Sequence, residues 1–109
     1  MVNLVHVTDN SFDAQVLKCD IPVLTGFWTE WSGSGKKVEA SLAEIAAAYP
    51  EQLKLVKVDI EANPLVTSTY RVLTTPTLIL FKNAQPVAQL TGVVSKETIM
   101  EKVTPYLDE

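Results

Sequence analysis

Thiols and imidazoles are nearly absent from this chain: its 109 residues include one cysteine, Cys19, and one histidine, His6. A single cysteine excludes an internal disulfide, and the scarcity of both ligand types argues against a structural zinc site. Cations are also in deficit. Nine Lys and Arg against 13 Asp and Glu leave a net charge of −4, which argues against general nucleic-acid binding and against docking on an anionic membrane surface. No apolar run approaches the ~20 residues that span a bilayer. The start, Met1-Val2-Asn3-Leu4-Val5-His6, lacks the basic opening and apolar stretch of a signal peptide. These absences predict a soluble cytoplasmic protein without cofactor or metal. Repeats, low-complexity tracts and Pro/Gly/Ser linkers are missing as well, so residues 1–109 read as one domain. At 47% hydrophobic and 20% charged residues the composition is ordinary and globular.

The chain alternates strand-like and helix-like runs. Val2 to Val7 reads as a strand, Ser11 to Leu17 as a short helix, and Val23 to Thr29 as a second strand. From Ser34 to Tyr49, Val38, Leu42, Ile45 and Ala46 recur at helical spacing until Pro50. Leu53 to Ile60 is a third strand. Asn63-Pro64, an N-cap residue followed by proline at the first position, opens a helix to Tyr70. Thr77 to Phe81 and Val87 to Leu90 form a hairpin around Asn83-Ala84, and Ser95 caps a last helix that Pro105 ends or kinks. The order βαβαβαββα predicts an α/β domain with helices on both faces of a mixed sheet.

Ser32-Gly33-Ser34-Gly35 joins the second strand to the longest helix. A strand turning through glycines into a helix aims free backbone N–H groups and a positive dipole end at one spot. Two readings follow: an anion nest backed by Lys36-Lys37, or a helix start capped by Ser32 or Ser34. It is not a P-loop, because Glu30 and Lys37 stand where that pattern needs glycine and a hydroxyl.

Phe27-Trp28-Thr29-Glu30-Trp31-Ser32-Gly33-Ser34-Gly35-Lys36 resembles the active-site segment of the thioredoxin family, F-W-A-E-W-C-G-P-C-K. Val56-Lys57-Val58-Asp59, Asn63-Pro64, Tyr70-Arg71-Val72, Thr75-Pro76-Thr77-Leu78, Phe81-Lys82-Asn83 and Gly92 resemble the same family in order and spacing. The resemblance covers essentially the whole chain. It implies a thioredoxin fold, a five-stranded mixed sheet flanked by four helices, and disulfide reduction by a Cys-x-x-Cys pair.

The departures fall on the chemistry. Ser32 aligns with the nucleophilic cysteine, Gly35 with the resolving one and Ser34 with the proline between them. Gly26 aligns with the buried aspartate that assists proton transfer, and Ala40 with a helix-kinking proline. Losing all of these together reads as a natural relative rather than a cysteine trap. Exchange needs a thiolate and a resolving thiol. A serine would need an adjacent base, and His6 in the first strand has no evident route to Ser32. The resemblance further implies that Pro76 is cis, that Thr75 pairs with an extended peptide, and that Trp31 and Gly92 share the same rim.

The main expectation is therefore a non-enzymatic, redox-inactive monomer that binds a protein or extended peptide at Trp31, Ser32, Gly33, Ser34, Thr75, Pro76 and Gly92. The alternative is a thioredoxin-type disulfide oxidoreductase, either a variant of an active parent or acting through Cys19. Cys19 otherwise reads as an incidental thiol between Lys18 and Asp20. Lys57 sits mid-strand in a run that should be buried, where lysine needs a partner. The resemblance gives it the carboxylate now replaced by Gly26, so Asp59, Glu39 or a water is expected at its ammonium.

Overall fold

A computed structural model describes residues 4–107. Strand β1 (Val5–His6), β2 (Val23–Trp28), β3 (Lys54–Asp59), β4 (Thr77–Lys82) and β5 (Gln85–Thr91) form one sheet in the order β1-β3-β2-β4-β5. β1 and β2 both run parallel to β3, while β4 is antiparallel to β2 and β5. A helical turn (Asp13–Leu17) and helices α1 (Gly33–Ala48), α2 (Pro64–Thr69) and α3 (Lys96–Val103) flank it. This is the five-stranded mixed α/β architecture read from the sequence.

β2 is buried at all six positions, as a continuous apolar run between two neighbours must be. Alternate residues face opposite layers. Leu24 and Trp28 join Val38, Leu42 and Ile45 of α1 and Ile99 of α3. Val23 and Phe27 face the other way, toward Phe12, Val16, Val66 and Phe81. On that second face Phe12, Tyr70 and Phe81 meet with ring centroids 5.0–5.5 Å apart. Burial there pushes the Tyr70 phenol above its ordinary pKa.

Several elements differ from their sequence-based outlines. The Val2–Val7 strand narrows to Val5–His6, although Val7 N–H still donates to Lys57 O at 2.8 Å; positions 2 and 3 lie outside the described residues. The first helix is a π-type turn closed by Lys18 N–H on Asp13 O, five residues back. Val87–Leu90 lengthens to Gln85–Thr91 because the two-residue turn lets the ladder start at Lys82–Gln85. Asn83 and Ala84 both take positive φ, 54° and 66°, the signature of a type I′ hairpin. Ser95 caps α3 as read, accepting from Thr98 N–H at 3.1 Å.

The cap of α2 is a correction. Asn63 occupies the N-cap position, but its side chain makes no capping bond. Its Oδ1 accepts from Asp9 N–H and its Nδ2 donates to Asp59 O instead. Asp9 caps from the loop after β1: its two carboxylate oxygens accept from Leu65 N–H (3.2 Å) and Val66 N–H (2.8 Å). Asn63 thus splints the loop that delivers the true cap. Asp9→Ala is expected to cost about 1–2 kcal/mol in urea unfolding, as for other lost caps, and to raise amide exchange in α2 first.

Candidate functional site

The C-terminal ends of β2 and β3 meet at Trp28 and Asp59, and the binding-groove candidates lie at that end. Beyond Trp28 the chain turns once, Ser32 N–H donating to Thr29 O at 3.0 Å, and enters α1. Ser32 is the N-cap: its Oγ accepts from Gly35 N–H at 3.1 Å. Of the two serines, Ser32 takes the capping role, and Ser34 stands exposed in the first turn. Gly33 is exposed, and no atom within 4 Å would meet a side chain there.

The second wall of the site comes from the entrance to β4. Thr77 registers against Phe27, which brings the preceding Thr75–Pro76 bond beside the end of β2. That bond is cis. Pro76 is buried and Thr75 is exposed. Pro76 O accepts from Gly92 N–H at 2.8 Å, which holds Gly92 against the same rim at φ 84°. Trp31 lies 74% exposed, with its indole N–H donating to Glu61 Oε1 at 3.2 Å. Trp31, Ser32, Thr75, Pro76 and Gly92 therefore occupy one end of the sheet.

Trp28 packs beneath this turn and against two of the positions where the sequence departs from the family pattern. A Cβ added to Gly26 would lie 2.2 Å from Trp28 Cζ3, and one added to Gly35 would lie 2.6 Å from Trp28 Cγ. The indole fills the space a side chain would need at both glycines. No local sequence signal reports this, because Gly26 and Gly35 are nine residues apart and meet only through the ring.

Lys57 registers opposite Gly26 and His6 in the sheet. Its ammonium is 2.9 Å from Glu39 Oε2 on α1 and 4.0 Å from Glu30 Oε1. Asp59 is engaged elsewhere, its Oδ1 accepting from Glu61 N–H. His6 lies in β1 with its side chain half exposed, and its Nε2 is 2.9 Å from Glu30 Oε1. His6, Glu30, Lys57 and Glu39 thus form one row of polar groups behind the Ser32 turn. Such a row needs both the β1–β3 register and the α1 docking, and neither is visible in local sequence.

Cys19 is half-buried and follows the π-type turn. It precedes β2, whereas Ser32 follows it, so the strand separates the thiol from the turn. Among the described residues no group of His, Cys, Asp and Glu could hold a metal ion, and no helix is long and apolar enough to cross a membrane.

The thioredoxin family model matches residues 3–105. The chain belongs to the thioredoxin family. Thioredoxin 1 of Nostoc sp. is 40% identical over 102 residues, covering 94% of this chain and 95% of the relative. Thioredoxin 1 of Synechococcus elongatus is 41% identical over 101 residues, covering 93% and 94%. Thioredoxin of Mycolicibacterium smegmatis is 40% identical over 105 residues, covering 94% of each. These relatives correct the main functional expectation. A redox-inactive binding module is not what they favour: near-full-length similarity to proteins named thioredoxin supports the alternative, thioredoxin-type disulfide chemistry.

Proposed function

We propose that this chain is a thioredoxin-type protein-disulfide oxidoreductase in variant form, acting in the cytoplasm on disulfides of extended polypeptides. Ser32 and Gly35 stand where the family resemblance puts the two thiols, and Cys19 is the one thiol the native chain can bring to exchange. The observation that carries the reading is the cap at residue 32. Its side-chain oxygen accepts an N–H at the start of a 16-residue helix, a position where a thiolate would be held by the same N–H and by the positive end of the helix. Beside it, the exposed Thr75 offers its backbone to a polypeptide strand, next to the buried cis Pro76.

The chemistry is thiol–disulfide exchange. A protein thiolate attacks one sulfur of the substrate disulfide, forming a mixed disulfide and releasing the other sulfur as thiolate. A small thiol then attacks the protein sulfur of the mixed disulfide, releasing the second substrate thiolate and leaving a protein–small-thiol disulfide. A second small thiol attacks the small-thiol sulfur of that bond, releases the protein thiolate and departs as the small-thiol disulfide.

The test uses Ser32→Cys in a Cys19→Ser background. Position 35 is left as glycine, since a side chain there would strike Trp28. The variant is expected to form a mixed disulfide with a disulfide-bonded peptide at residue 32, read by intact mass, at least about tenfold faster than Cys19 does in the native chain, as a lowered thiol pKa predicts. A folded variant that forms none overturns the proposal. Insulin reduction by dithiothreitol distinguishes the two thiol positions: turnover by the native chain that Cys19→Ser abolishes assigns the exchange to Cys19.

A further inference from the structure

An open groove of about 490 Å³ runs along α2 and the segment that follows it. Ile60, Pro64 and Leu73 give it apolar walls, with Ser68 and Arg71 at its edge. Leu73 is 92% exposed although it is a large apolar residue. Two of its lining residues lie close in the chain to residues of the site above. Leu73 stands two residues before Thr75, and Ile60 precedes Glu61, which holds the Trp31 indole.

Arg71 is the unusual residue here. It adopts φ 55°, the left-handed conformation that favours glycine. The cause is local: Arg71 N–H donates to Ser68 O and Val72 N–H to Thr67 O, bonds that close the C-terminus of α2. Glycine would serve that backbone better. Instead the position carries an exposed guanidinium that makes no ion pair among the described residues. Glu61, which follows the lining residue Ile60 in the chain, is engaged by Trp31. An unpaired cation beside apolar walls is complementary to a ligand with an apolar side chain and an adjacent carboxylate.

We infer that this groove selects among polypeptide substrates, taking an extended strand in which a bulky apolar residue is followed by Asp or Glu. The apolar side chain lies between Ile60, Pro64 and Leu73, and the carboxylate meets Arg71. The inference rests on the proposed function and names the substrate class of that site. On a molecule of net charge −4, long-range repulsion works against acidic partners, so selectivity comes from this contact at short range.

Two fluorescein-labelled disulfide peptides that differ only in Phe-Asp against Phe-Lys provide the test by anisotropy on the native chain. The Phe-Asp peptide is expected to bind about fivefold more tightly, the scale of one exposed ion pair. Arg71→Gly suits the backbone, so it is expected to stay folded and to lose the preference. Leu73→Ser is expected to weaken both peptides alike. Equal binding of the two peptides, a preference unchanged in Arg71→Gly, or no binding of either overturns the inference. The Ser32→Cys, Cys19→Ser protein separates the two levels. Mixed disulfides formed equally with both peptides overturn the groove's selectivity and leave the oxidoreductase reading standing, whereas none with either peptide overturns that reading itself.

Discussion

Trp28→Ala is expected to lower stability by about 3–5 kcal/mol, the range for removing a fully buried aromatic side chain. The ring is 2% exposed and belongs to the core cluster shared by α1, α3 and the sheet. Its neighbours make the effect unusually specific. Gly26→Ala and Gly35→Ala, each adding a Cβ within 2.6 Å of the ring or closer, are expected to cost about 1–3 kcal/mol apiece through overpacking. The penalties should not add. In a Trp28→Leu background both glycine substitutions should become much cheaper, because the colliding atoms are gone. A double-mutant cycle by urea unfolding measures this coupling. Full additivity would show that the glycines are constrained by something other than the indole. The same geometry explains why restoring single residues of the family pattern at 26 or 35 should be harmful: the ring must move before either can be accommodated.

Glu39→Ala carries the second large effect, an expected loss of about 1–3 kcal/mol from stranding a mostly buried ammonium. Lys57 is 17% exposed and Glu39 30%, so water relieves only part of the penalty. Glu30, 4.0 Å from the ammonium and shared with His6, remains as a weaker partner. Replacing both members with apolar residues of similar size, Lys57→Met with Glu39→Leu, should come out close to neutral, since no unpaired charge is left behind. Urea midpoints for the single and double variants check this. A Glu39→Ala protein as stable as the native chain would show that Glu30 and solvent suffice for Lys57.

What the sequence made legible follows from the range of the interactions involved. The apolar period of residues 38–46 and the capping Ser95 are local signals, and α1 and α3 form accordingly. Lys57 could be picked out because a lysine in the middle of an apolar strand demands a partner wherever it lands. Asn63, by contrast, carried a local capping signal that a distant residue overrode. Asp9 arrives from 54 positions away and supplies two oxygens to the same N–H groups, leaving the amide to hold the incoming loop. Arg71 gave no signal at all, because its conformation is set by how α2 closes and its exposure by the groove beside it.

By itself the chain determined its strand and helix order, its membership pattern and the residues standing at positions 26, 32 and 35, because these are statements about covalent order and short-range periodicity. Only the folded arrangement decided what those residues mean together. Ser32 became a cap at one end of the sheet beside Pro76 and Gly92, Glu39 became the partner of Lys57, and one indole came to fill the space beside two glycines. Each of these depends on register and on helix docking, which bring residues far apart in the chain within a few ångströms, and no local sequence preference encodes that.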